Sequence, residues 1–178
     1  MAKRLSVPDD YITLSQALSF QHYDLKNYNT GLFTFGNGSS NNLAYTIGLS
    51  RDNNNIDPIY PTGGSKFGIT AKLSLPYSAF NGVDYTSLKE EREDQLEIQN
   101  NTNNSNSVRY DAADRISEID QERFKWLEFY KVKFNGEWYT RVVGDMVLRP
   151  KIEFGFLGAY NNDRGVIPFE RYFLGGDG

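Results

Sequence analysis

His22 is the only imidazole in a chain that has no cysteine. A Ser-His-Asp relay would have to use it. It falls near the end of a run that alternates apolar and polar residues, where a lone histidine reads as an interfacial or loop residue. Carboxylates cluster as Asp9-Asp10, as Asp111 with Asp114, and as Glu118 with Asp120. None has the spacing of a calcium loop, so surface acidity is the better reading. Gly175-Gly176-Asp177-Gly178 is followed by no helix and lacks a phosphate-loop lysine, so it reads as a loop. The absence of cysteine removes disulfides, thiolate metal sites and cysteine nucleophiles. These residues predict no enzyme, no cofactor and no metal site. One opposite-charge pair is placed by the pattern of the chain itself: Glu137 and Lys151, expected to meet across a hairpin.

That hairpin sorts its side chains by parity. Tyr130, Val132, Phe134, Gly136, Trp138, Thr140 and Val142 alternate with Lys131, Lys133, Asn135, Glu137, Tyr139 and Arg141. Beyond Val143-Gly144-Asp145 the pattern resumes, with Met146, Leu148, Pro150, Ile152, Phe154 and Phe156 set against Val147, Arg149, Lys151, Glu153 and Gly155. Successive strand residues point to opposite faces, so each strand has one greasy face and one charged face. Large aromatics on one face and dense Lys, Arg and Glu on the other fit a wall between lipid and a wet lumen. A three-residue loop at Val143-Gly144-Asp145 sets Val142 opposite Met146, Phe134 opposite Phe154, and Glu137 opposite Lys151. The rival turn, Asn135-Gly136, is a strong hairpin signal. It would set Phe134 against Glu137 and Lys133 against Trp138, and the alternation runs through it without a change of phase. Pro150 predicts a local irregularity, since proline gives no ladder bond.

The same alternation recurs upstream, giving five strands at about 11–24, 42–52, 65–77, 126–142 and 146–160. Most reach the roughly 9–11 residues that cross a bilayer at a tilt. Of the 178 residues, 39% are hydrophobic and 15% aromatic, and the net charge is -4. A mean hydropathy of -0.58 and the lack of an apolar run of about 18 residues exclude a membrane helix, though not a barrel. Mild acidity without a basic stripe argues against nucleic acid. Met1-Ala2-Lys3-Arg4 leads into Leu5-Ser6-Val7-Pro8 with no apolar signal segment, for which truncation is the simplest account. The connections alternate in length, as in outer-membrane barrels, which puts 26–41 and the long loop at about 80–123 outside the cell. Glu90-Glu91-Arg92-Glu93-Asp94 and Asn100-Asn101-Thr102-Asn103-Asn104 give that long loop the composition of a mobile segment, with a short helix possible from Asp114 to Glu122. Phe67 and Trp138 on the apolar face near the shorter turns, and Tyr77 at the opposite end, fit an aromatic girdle.

Tyr60-Pro61-Thr62-Gly63-Gly64-Ser65-Lys66-Phe67, placed after a strand, resembles a segment of BamA-type outer-membrane assembly proteins, the bacterial surface antigen family. Pro168-Phe169-Glu170-Arg171-Tyr172-Phe173-Leu174-Gly175-Gly176 is similar to the stretch that leads into their sixth extracellular loop, here about 161–178. With Phe154-Gly155-Phe156-Leu157-Gly158 the resemblance covers nearly all of the chain outside 81–123, and its flavour is that of the Bacteroidetes group. It marks Pro61, Thr62, Gly63, Gly64, Phe169, Leu174, Gly175 and Gly176 as motif residues. It implies an all-β, antiparallel transmembrane barrel fragment over 1–178, about five strands of a sixteen-stranded barrel. It also implies a bacterial outer-membrane location and a role in folding and inserting barrel proteins. The implied partners are unfolded barrel substrates, accessory assembly lipoproteins and outer-membrane lipid. Two other readings differ in class: the wall of another outer-membrane barrel, translocase or porin, and a soluble β-sandwich binding module. A barrel wall would need detergent, whereas the module would dissolve freely. Five strands leave two unpaired edges, so the isolated chain is expected to aggregate.

Overall fold

Alternating residues build strands here and charge-rich segments build helices. The computed structural model describes residues 1–6, 10–28, 34–53 and 62–165. In chain order the elements are β1 (Ala2–Leu5), β2 (Ile12–Leu25), β3 (Gly38–Asp52), β4 (Gly63–Ser74), α1 (Tyr85–Asn100), α2 (Asn106–Arg123), β5 (Tyr130–Val143), β6 (Met146–Leu148) and β7 (Lys151–Gly158). A single 3-10 turn, Tyr77–Ala79, follows β4. The strands form one sheet in the order β1-β2-β3-β4-β5-β6, with β7 also on β5. It is a meander in which sequence neighbours pair, as short connections favour. Among the described residues no helix is long and apolar enough to cross a membrane.

Within the sheet two details differ from the sequence expectations, and the irregularity expected at Pro150 is found. The short strand β1, Ala-Lys-Arg-Leu, is additional and runs antiparallel to β2, with Ala2 opposite Ser15 and Leu5 opposite Ile12. The last strand is broken into β6 and β7 at Arg149-Pro150, where proline offers no N–H, while Trp138 N–H still donates to Pro150 O at 3.1 Å. The turn is Gly144-Asp145 rather than three residues. Val143 faces Met146, Gly144 has φ 55°, and the surplus residue Val142 becomes a bulge. A two-residue turn with glycine first matches the twist of its strands. Beyond the bulge, Thr140 faces Leu148 and Arg141 faces Val147, so the expected facing survives.

The chain divides into two compact units. One holds Met1–Ser19, Ala44–Leu73 and Tyr130–Phe156; the other holds Phe20–Leu43, Ser74–Phe129 and Leu157–Gly178. The first is sheet. The second has a conventional apolar core of Leu25, Phe35, Phe124, Leu127 and Phe129, with Tyr23, Tyr28 and Leu157 packed against it. There the residues from Trp126 to Phe129, expected as the start of a strand, run extended beside β3 instead. Asn41 N–H donates to Lys125 O and Leu127 N–H to Asn41 O, both at 2.8 Å.

The segment 80–123, expected as a mobile loop, is an α-helical hairpin. Its helices lack an apolar stripe strong enough to announce them, and charge pairs between them do part of that work. Arg92 grips Asp120 with Nε at 2.7 Å and Nη2 at 3.0 Å, and Arg115 reaches Glu91 at 2.7 Å. Both helices are capped. The Asp84 carboxylate accepts from the N–H groups of Thr86 and Ser87, and Ser105 Oγ accepts from Val108 N–H. Bonds from the Ser87 hydroxyl and backbone hold the Asp84 carboxyl below its ordinary range. A depressed carboxylate contributes stability above its unfolded pKa and loses it as pH falls through the folded one. Acidification below the usual carboxylate range is therefore expected to lower the protection of the Thr86 and Ser87 amides relative to their intrinsic exchange rates. Asp84→Asn, which caps without titrating, should abolish that pH dependence; an unchanged dependence in the variant would assign it elsewhere.

Candidate functional site

The most informative surface lies in the sheet unit, where large apolar residues are exposed and small residues of the opposite face are covered. Strand register places the apolar set. Phe67 faces Gly136, Ile69 faces Phe134, Ala71 faces Val132, and Leu73 faces Tyr130. Tyr130 and Phe156 rings lie 5.8 Å apart, one step along the diagonal from direct opposition. Ile152 is 54% exposed, Phe154 64% and Leu18 74%. On the other face of β3, Ala44 is 1% exposed and Gly48 is buried. Ser15 Oγ donates to Gly48 O and Ser19 Oγ to Ala44 O, each at 3.2 Å. A water-soluble sheet orders its faces the other way, since burying apolar area is what stabilises it. Exposed contiguous apolar area of this extent marks a membrane or protein interface.

The charged face opposes it residue by residue. Lys66 faces Glu137, Gly68 faces Asn135, Thr70 faces Lys133, and Lys72 faces Lys131. Two lysines directly across a strand pair repel. Lys66 Nζ lies 3.2 Å from Asp52. The expected Glu137–Lys151 pair is not made. Glu137 Oε2 accepts from Arg149 Nε at 2.9 Å and Nη2 at 2.6 Å, and Lys151 turns along its own strand to Glu153 at 3.0 Å. Both nitrogens on one edge of the guanidinium reach the carboxylate from the diagonal position, which a lysine point charge cannot match. Arg149 also lies over the Tyr139 ring, 5.4 Å from its centroid.

The remaining sequence candidates fall as follows. Thr62 precedes β4; Gly63 and Gly64 open it, opposite Thr140 and Tyr139. Gly64 has φ 102°, a conformation that favours glycine. Pro61, Phe169, Leu174, Gly175 and Gly176 lie outside the described residues. His22 Nδ1 shares a hydrogen bond of 2.7 Å with the Asn41 side-chain oxygen, an amide rather than a carboxylate. Asp120 and Glu118 are held by arginines, and among the described residues no group of His, Asp and Glu converges as a metal site. Sequence reasoning missed a set of buried charges in the second unit: Arg123, Glu128 and Arg164. The only sequence signal for them was an acidic residue, Glu128, interrupting an apolar run.

An Omp85 superfamily domain model matches residues 3–178. No curated protein and no solved structure matches the chain. The match covers nearly the whole length, and the chain belongs to the Omp85 superfamily.

Proposed function

From its membership of the Omp85 superfamily, we propose that this chain is part of the barrel wall of a BamA-type assembly factor, of the Bacteroidetes kind. Such a factor folds β-barrel proteins and inserts them into the bacterial outer membrane. The observation that carries the reading is the inverted sheet, with Ile152, Phe154 and Leu148 exposed and Glu137, Arg149 and Lys151 on the opposite face. In a barrel the first set meets lipid and the second a wet lumen. The wall works without catalysis. It holds the shape of a barrel whose partners are unfolded barrel substrates, accessory lipoproteins and outer-membrane lipid, all engaged by the full-length protein. A soluble β-sandwich module fits poorly, because it would leave the phenylalanines of β7 in water.

Depletion of the full-length protein tests this. Loss of many unrelated outer-membrane barrels, with their unfolded forms accumulating in the periplasm, is the expected result. Loss of one secreted substrate while barrel levels hold would make the protein a translocase of the same superfamily.

A further inference from the structure

The five residues Asn161 to Gly165, which the resemblance puts at the start of the sixth extracellular loop, are gripped by α1, by the end of α2 and by the extended stretch that follows it. Arg164 is 3% exposed. Its Nη1 donates to Glu128 Oε2 at 2.8 Å, its Nε and Nη2 to Arg123 O at 3.2 and 2.6 Å, and Nη2 also to Trp126 O. Its guanidinium lies over the Tyr85 ring, 4.8 Å from the centroid. Arg123 answers from the end of α2. Its Nη2 donates to Asp163 O at 2.9 Å and to Arg164 O at 2.6 Å, and its Nη1 to Asp120. Each arginine thus binds the other's backbone carbonyl. From the first turns of α1, Thr86 Oγ1 and Lys89 Nζ reach the Asp163 carboxylate at 3.1 and 3.2 Å. The turn is closed from within by Gly165 N–H on Asn162 O, with Gly165 at φ 78°.

Holding a surface loop in place takes one or two bonds, and a buried guanidinium is costly to supply for that purpose. We infer that the helical insert is a cradle that fixes the point where the chain leaves β7, with Arg164 as the positioning residue. The insert and the chain after β7 then move as one body. A partner that binds α1 or α2 shifts Asn161–Gly165 as well. This inference stands apart from what the full-length protein assembles, since it concerns only this coupling.

Trypsin cleavage after Arg164, in the purified full-length protein held in detergent micelles, reads the coupling directly. In the folded wild type the bond should resist, because the guanidinium is spent on four hydrogen bonds to three acceptors. Glu128→Gln should raise the cleavage rate about tenfold or more, the loss of one charged hydrogen bond. Cleavage after Arg141 in β5 should stay at the wild-type rate, which separates local release from unfolding. Asp120→Asn touches Arg92 and Arg123 but no residue of the loop. It should nevertheless raise cleavage after Arg164. Ready cleavage in the wild type overturns the inference without any variant. So does an Asp120→Asn protein whose α2 amides exchange faster while the Arg164 bond stays protected.

Discussion

Phe154→Arg in the full-length protein should lower its stability in lipid by roughly 2–4 kcal/mol, whereas Glu153→Ser should change it by about 0.5 kcal/mol or less. The two positions are neighbours in β7 but point to opposite faces, so backbone propensity and edge effects are nearly shared. What differs is the medium each side chain meets. Phe154 is 64% exposed on a face that also carries Ile152 and Phe156, and a guanidinium there must be taken out of water into hydrocarbon. Glu153 sits with Lys151 and is already hydrated. The cost should also depend on depth. Leu148→Arg, close to the Gly144-Asp145 turn, should fall to about 0–1 kcal/mol because the headgroup region solvates charge. Denaturant unfolding in lipid vesicles, followed by heat-modified gel mobility, gives the three values. Equal costs at Phe154 and Glu153 would refute the assignment of faces. A flat profile from Leu148 to Phe154 would mean that this face does not meet a bilayer.

How much of this was legible in the sequence varies with the range of the interactions involved. Facing along β5 and β7 was readable because a period of two is a local property, and it survived a bulge at Val142 because one bulge changes which residue is surplus, not which way Phe154 points. The partner of Glu137 was not readable. Direct opposition favoured Lys151, but Arg149 sits one diagonal step away with better hydrogen-bonding geometry, and side-chain reach decided between them. Helix α1 and the first half of α2 were missed, and only Asp114–Glu122 was read as helix, because sequence patterning looks for an apolar stripe. Ala112, Ile116 and Ile119 are buried on α2, yet Arg92, Asp120 and Arg123 share that interface, so the stripe is diluted by charge. Asp84 and Ser105 were sound capping signals ahead of good helix formers, and they outweighed the low hydrophobicity that had suggested a mobile loop. The grip on Asn161–Gly165 had no local signature at all, since Arg164 and Glu128 are far apart in the chain and only the fold brings them together.

That grip yields the second large effect. Glu128→Ala should destabilise the helical unit by roughly 3–5 kcal/mol, the cost of leaving a buried charge without its partner. Three guanidinium groups, those of Arg92, Arg123 and Arg164, are neutralised there by two carboxylates, Asp120 and Glu128. Burial, aided by repulsion from Arg92 and Arg164, already pulls the Arg123 guanidinium below its ordinary pKa against the opposing pull of Asp120. Removing Glu128 leaves three cations facing one anion. It also strips the Ser78 N–H and hydroxyl of their acceptor, both at 2.7 Å. Arg164→Met should cost less, because the Glu128 carboxylate loses its guanidinium but keeps the two Ser78 donors, and the carbonyls of Arg123 and Trp126 lose theirs. The double variant Glu128→Leu with Arg164→Met should then cost clearly less than the sum of the single costs, since no unpaired charge remains. Amide exchange along α2 in the micelle-bound full-length protein measures all three. Strict additivity, or an Arg164→Met cost equal to that of Glu128→Ala, would show that this cluster is held by packing and not by charge balance.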